Sequence, residues 1–377
     1  MILVDDIQIF RQLLPLTFTR SIADCRIGIL TIREKWEKYL AQHVDIDYCV
    51  DYLKEGGTVQ DSLRISSHIL PNTELVQAIQ SLPEDAALIY QGVEIASRNK
   101  TAASQMISYE GAFSAICFPW DFYLLNDAEM RKDYALLTEN RISQKLEESN
   151  TLIGNDIFIE EGAKVSASIL NTQLGPIYIG KNAEIMEGSM IRGPFSLGDY
   201  AQVKMGAKIY GATTIGPGSK VGGEITNCVL FGNSNKAHDG YIGNSVLGEW
   251  CNLGADTNSS NLKNNYSTVE IYSYAEHKTI SSGQLFLGLI MGDHSKSSIN
   301  TMFNTGTVVG VSANIVSNGF PNKHIPSFSW SIADKTRPYD IEKALETIRI
   351  VYGRRNRLLT EREERILRYI HAENVSK

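Results

Sequence analysis

Cysteine is scarce in this chain of 377 residues: there are five, Cys25, Cys49, Cys117, Cys228 and Cys251, with no CxxC spacing among them. That scatter excludes a disulfide framework and a cysteine-based zinc site, and predicts reduced, buried thiols in a cytoplasmic protein. Long apolar runs are missing as well. Nothing approaches the roughly 18 uninterrupted apolar residues of a membrane-spanning helix, so no membrane partner is expected. The opening segment MILVDDIQIFRQ carries Asp5 and Asp6, which leaves no room for the apolar region of a secretory leader. No long basic run occurs and the net charge is −7, which argues against nucleic acid as the main partner. What is present is ordinary for a folded chain: 43% hydrophobic and 21% charged residues, in a length that allows two or three domains.

One pattern is not ordinary. Ile179, Ile185, Ile191, Leu197, Val203, Ile209, Ile215 and Val221 are eight consecutive apolar positions at a spacing of six. The same step is found at Ile153, Ile159 and Val165 before them, and at Phe303, Val309 and Ile315 after them. Neither a helix, with a period near 3.6, nor a lone strand, with a period of 2, gives that spacing. A hexapeptide solenoid does, with three short strands and three turns to each coil and one apolar side chain per hexad pointing inward. Gly180, Gly198 and Gly216 recur every 18 residues and are expected at corners that need positive φ. A triangular prism with flat walls suits threefold packing, so a homotrimer is expected.

The flanks read differently. Residues 1–125 mix strand-like runs (AALIYQ, SAICF) with helical ones and predict a modest α/β domain. Residues 126–150 have helical spacing and predict a connecting helix, 151–332 the solenoid, and 333–377 a helical end. Thr360 and Glu363 have the spacing of a helix N-cap and its reciprocal partner. The arginines of this last segment are expected on a solvated face or packed against the prism.

The repeat breaks step at Lys236–Asn264. Here His238-Asp239-Gly240-Tyr241-Ile242-Gly243-Asn244 is followed by Asn252-Leu253-Gly254-Ala255-Asp256-Thr257 and then by Ser260-Asn261-Leu262-Lys263. These residues and spacings resemble the acetyltransferase domain of the GlmU family and its archaeal sugar-1-phosphate relatives, which reads H-x-x-Y-x-G-D, N-[IL]-G-A-G-T, then Asn. Lys278–Asn300 is similar to a further segment of the archaeal members. The resemblance implies a left-handed parallel β-helix that moves an acyl group from acetyl-CoA to an amino-sugar phosphate or a nucleotide-linked sugar. It implies His238 as the base, Tyr241, Asn252 and Asn261 as substrate contacts, and Gly254 and Ala255 beside the acyl-CoA, with a main-chain N–H as oxyanion donor. Lys204 and Lys236 are expected to face a phosphate. The chemistry agrees with these residue types, because a histidine titrates near neutral pH and can take the proton of an attacking amine. Two positions depart from the pattern: Asp256 replaces a glycine, and Thr226 stands where relatives have a phosphate-binding lysine. His294 is expected to hydrogen-bond at a subunit interface.

The N-terminal segment LLPLTFTRSIADCRIGILTIREKWEKYL, with FPWDFYLLN after it, is similar to the nucleotidyltransferase domain of the same family. The expected fold is therefore a reduced nucleotidyltransferase-like α/β domain, a hexapeptide-repeat β-helix and a C-terminal helix. DDIQIFRQ stands where a glycine-rich phosphate loop would be, and no lysine follows Arg20 within the RPK-like position. Nucleotidyl transfer to a sugar-1-phosphate from UTP or dTTP remains an alternative, with Arg11, Arg20 and Arg26 on phosphates and Asp5 or Asp6 on Mg²⁺. A non-catalytic, sugar-nucleotide-binding solenoid is the other.

Overall fold

The computed structural model describes residues 1–54, 63–317, 319–332 and 335–375. Ile2–Val4 lies between two parallel neighbours, Asp45–Asp47 and Leu63–Ser66. Val93–Arg98, Ala86–Tyr90 and Gln105–Ser108 complete a mixed six-stranded sheet. The helices Ile32–Leu40 and Thr73–Gln80 cover it; the first begins in a reciprocal cap between Thr31 and Glu34. This is the α/β domain read from the sequence.

The connecting helix runs from Asn126 to Thr138 and stops there, short of the expected 150. Beyond it the chain turns extended and closes the end of the prism. Gln144 N donates to Ile159 O at 2.8 Å and Asn150 Nδ2 to Val165 O at 2.7 Å. The helical spacing of the charged residues was real, but main-chain pairing with the first coil outweighs propensity there.

The hexads build three walls of parallel strands, six-, nine- and ten-stranded, the last ending in one antiparallel strand, Lys335–Pro338. All eight apolar residues from Ile179 to Val221 point inward, each at most 2% exposed. Equivalent residues stack one coil apart, as in Ile177–Ile179 on Phe195–Leu197 on Thr213–Ile215. Ile153 is a correction: it is 37% exposed, and Leu152, equally exposed on this end coil, is the residue in register with inward Leu170. The corner glycines are a second correction. Gly180, Gly198 and Gly216 are not in the left-handed region; that conformation falls two residues later, at Asn182, Tyr200 and Gly218. The glycines are instead required by close stacking, since a Cβ on Gly198 would lie 2.6 Å from Pro217 N.

Helices Ile341–Gly353 and Glu361–Val375 form the C-terminal segment. The second starts as expected: Glu363 N donates to Thr360 Oγ1 at 3.2 Å and Thr360 N to Glu363 Oε2 at 2.9 Å. The N-terminal domain sits against the prism. Thr214 Oγ1 donates to Gly28 O at 2.6 Å, and Asn126 Nδ2 to Ala212 O at 3.0 Å. Among the described residues no helix is long and apolar enough to cross a membrane.

Candidate active site

Where the repeat breaks step the coils shorten. Val221 pairs with Lys236 across 15 residues, while Val203 pairs with Val221 across 18. Further on, Leu247 pairs with Met291, because the intervening chain leaves the prism as a hairpin of Glu270–Ser273 and Lys278–Ser281. His238 lies in the turn after Lys236, exposed, and its ring has no hydrogen-bond partner among the described residues.

Tyr241 and Asn261 do come together. Asn261 Nδ2 donates to the Tyr241 hydroxyl at 3.0 Å and to Asn244 Oδ1 at 2.8 Å, while Tyr241 N donates to Asn258 Oδ1 at 2.8 Å. Burial, and then Cys228 and Tyr210 nearby, push the phenol up to about 12, so it stays a neutral hydroxyl at physiological pH. Asn244 and Asn258 were missed in the sequence; their only signal was the local density of asparagine. Asn252 stands on a different wall, exposed, accepting from Asn235 Nδ2 at 2.8 Å.

Gly254 is pressed between coils: its N–H donates to Ser297 O at 3.1 Å, and a Cβ there would lie 2.5 Å from Ser298 C. Its amide is thus committed inside the prism. The next residue differs. Ala255 O accepts from Asn300 N at 2.8 Å, but the Ala255 N–H makes no hydrogen bond among the described residues. Asp256, exposed at φ 56°, joins the His238 turn through its own N–H to Asp239 O at 3.0 Å.

Lys236 does not face a surface phosphate. It occupies the inward column below Val221 and is 1% exposed. Its ammonium donates to His238 O at 2.6 Å and Asp239 O at 3.2 Å, so it braces the turn from inside. Burial, outweighing Asp239 and Asp256, pulls this ammonium down to about 8. Lys204 is half-buried at a corner, donating to Gln202 Oε1 at 2.8 Å. His294 meets its own chain: it is buried, held neutral by burial at about 3, and tilted against Tyr352 at 5.8 Å. Its neighbour is thus the C-terminal helix of the same chain.

Beside Tyr241, the six-stranded wall carries Met190, Lys208, Glu224 and Tyr241 in one outward ladder. A groove of about 490 Å³ runs along it, lined by Ile153, Ile169, Met190 and Tyr210 among others. His238 does not line it.

In the N-terminal domain the residues do not fit a magnesium ion. Asp5 is 5% exposed, and its Oδ1 accepts from Ser21 Oγ at 2.8 Å, Ser67 Oγ at 2.7 Å and Ile22 N at 3.2 Å. Burial pushes its carboxyl up to about 7. Asp6 caps the first helix through Gln8 N and Ile9 N. No group of three or more His, Cys, Asp or Glu side chains suited to a metal occurs among the described residues. Arg20 is ion-paired with Asp293 of the prism, and Arg26 donates to Phe231 O at 3.1 Å. Arg11 lines an open cavity with Phe18, Tyr52 and Tyr274, and Arg20 lines a second one with Asp293, Arg357 and Arg362.

Fold and sequence together define an α/β domain joined to a parallel β-solenoid of the hexapeptide-repeat type, and comparison with known proteins agrees. Residues 1–142 match the family model described as sugar nucleotidyl transferase. The chain is 29% identical over 223 residues to the bifunctional sugar-1-phosphate nucleotidylyltransferase/acetyltransferase of Sulfurisphaera tokodaii, covering 59% of this chain and 49% of that one. It is 28% identical over 222 residues to the bifunctional protein GlmU of Methanococcus maripaludis, covering 56% and 45%. The chain is thus similar to GlmU-type proteins over these stretches, and spans about half the length of these curated relatives. Among solved structures, the polySia-specific acetyltransferase NeuO overlaps 52% of this chain and 87% of its own at 12% identity, with a TM-score of 0.29. So loose an overlap bears on neither substrate nor mechanism.

Proposed function

We propose that this chain is a CoA-dependent N-acyltransferase, most simply an acetyltransferase, acting on an amino-sugar phosphate or nucleotide-linked sugar. The observation that carries this reading is the pairing, on stacked turns, of an exposed, unpartnered His238 imidazole with the unoccupied main-chain N–H of Ala255. His238 takes a proton from the acceptor amine as its nitrogen attacks the thioester carbonyl and the new C–N bond forms. The Ala255 N–H stabilises the oxyanion of the tetrahedral intermediate. Its collapse breaks the C–S bond, and the proton held by His238 passes to the departing CoA thiolate. Tyr241, fixed by Asn261, offers a hydroxyl to the sugar, and Asn252 and Lys204 offer donors on the neighbouring wall. Lys236 supports the His238 turn from within and touches no substrate.

The test is thiol release from acetyl-CoA over a panel of amino-sugar phosphates. His238→Ala is expected to lower kcat by roughly 10²–10⁴-fold with CoA still bound. Equal turnover by the variant would sink the base assignment.

The family match over residues 1–142 favours a second reading, nucleotidyl transfer. The engagement of Asp5, Arg20 and Arg26 in structural contacts weighs against it. Mg²⁺-dependent pyrophosphate release from UTP or dTTP is its measure.

A further inference from the structure

Four cations stand together with none of them ion-paired to a carboxylate among the described residues. Lys220 follows Gln202 and precedes Asn235 in the ladder of the ten-stranded wall. Its neighbour Val221 is fully buried in the prism, so the alternation of the strand turns Lys220 outward. Arg354 and Arg355 follow the helix Ile341–Gly353, and Arg355 Nη1 donates to Gly218 O at 2.7 Å, two residues before Lys220. Lys204 adjoins from the coil before: its Cβ would lie 3.2 Å from a Cβ placed on Gly222. Gly222 also packs on the carbonyl of Ala237, the residue before His238. The cluster is therefore continuous with the corner that carries His238.

Among the described residues none of the four makes an ion pair. Lys204 gives its ammonium to an amide oxygen, and Arg355 donates to a main-chain carbonyl. An acid near Lys220, Glu184, is already held by Gln202 Nε2 at 2.8 Å. Other cations nearby are treated differently: Arg349, Arg357 and Arg368 of the C-terminal segment all pair with glutamates, and Lys208 reaches Glu224. In a chain of net charge −7 this is a local inversion of sign. It has an internal consequence: Lys220 is held below its ordinary value by burial and then by Arg355, Lys204 and Arg354. Arg355 is lowered by burial and by Arg354. A bound anion would relieve this crowding. Two guanidinium forks suit phosphate oxygens, two lysines add point charges, and a single carboxylate is too weakly charged to face all four.

We propose that Lys204, Lys220, Arg354 and Arg355 form a binding site for the diphosphate group of a small-molecule ligand. The site deepens the transferase reading and rests on it for its purpose, since nucleotide sugars and CoA both carry a diphosphate. Binding, however, is measurable without turnover. Calorimetry of the full chain with inorganic diphosphate should show saturable binding that weakens as salt rises from about 20 to about 200 mM. Arg354→Gln/Arg355→Gln, on an exposed turn, should weaken it by roughly tenfold or more, as should Lys220→Gln, with the Lys208→Gln control unchanged. Competition by UDP identifies a nucleotide-sugar source, and competition by CoA the donor; either supports the site. The proposal is overturned by absence of saturable binding to the wild type, by binding in the double arginine variant equal to wild type, or by equal loss in the Lys208 control. Diphosphate binding without thiol release from acetyl-CoA would keep the site and remove the transferase reading. Thiol release with KM for both substrates unchanged in the double arginine variant would do the reverse.

Discussion

Two buried ionisable side chains show how single residues were turned from chemistry to structure. Asp5 follows the first strand, where an open α/β sheet presents its crevice. Here its carboxyl accepts from Ser21, Ser67 and the Ile22 N–H, and it is raised from 3.8 to about 7. A raised carboxyl stabilises the fold fully below its unfolded value, and that contribution is lost as pH climbs through the folded value. Stability is therefore expected to fall between pH of about 4 and 7. Asp5→Asn keeps an acceptor oxygen but no charge, so its unfolding free energy in urea should be flat over that window and exceed wild type above neutrality by roughly 2–4 kcal/mol. A variant that tracks the wild-type curve would show that Asp5 is not the group responsible. Lys236 is the counterpart, an ammonium in an apolar column, lowered to about 8 and bonded to the carbonyls of His238 and Asp239. The motif around His238 was legible in the sequence, whereas this inward lysine was read as a surface one. The hexad period could have found it, because Val221 leads to Lys236 once the coil is known to shorten to 15 residues.

At the scale of the element, the period-six pattern identified inward positions well because burial acts on every coil alike. It failed at the end: the first coil has no neighbour above it, and the register slips by one residue to Leu152. It also misjudged the glycines. Positive φ and close approach both select glycine, and the sequence does not separate them. The distinction has a measurable consequence. Gly198→Ala adds a Cβ 2.6 Å from Pro217 N, so two coils must separate, and a loss of about 1–3 kcal/mol is expected in thermal or urea unfolding. At Gly206, where φ is 69° but nothing lies within 4 Å, alanine should cost only about 1 kcal/mol of backbone strain. Equal losses at the two sites would refute the packing account. The end of the connecting helix at Thr138 was illegible for another reason, since its competitor is a strand edge distant in sequence.

At the scale of the whole molecule, two features point outward. The six-stranded wall exposes Ile153, Ile169, Met190 and Tyr210 along its groove, a contiguous apolar surface of the kind that marks contact with another chain. His238 lies open rather than in a cavity of its own protomer, as a cleft completed by a second copy would require. A trimer is therefore proposed: sedimentation should give three times the 41.9 kDa protomer, and Met190→Asp should shift the population toward monomer. A wild type that sediments as a single protomer at micromolar concentration would rule it out. None of the docking between domains was readable beforehand, because it joins residues far apart in the chain, such as Arg20 to Asp293 and Gly28 to Thr214.

That docking changes how the prism should come apart. A solenoid whose coils touch only their neighbours can unzip from either end, one rung at a time. Here a single folded body grips the coil of Ala212 and Thr214 and, several rungs on, the coil of Asp293. The middle of the stack is held along one side, with Phe231 gripped between those two rungs, and fraying from the open end should halt at the first clamp.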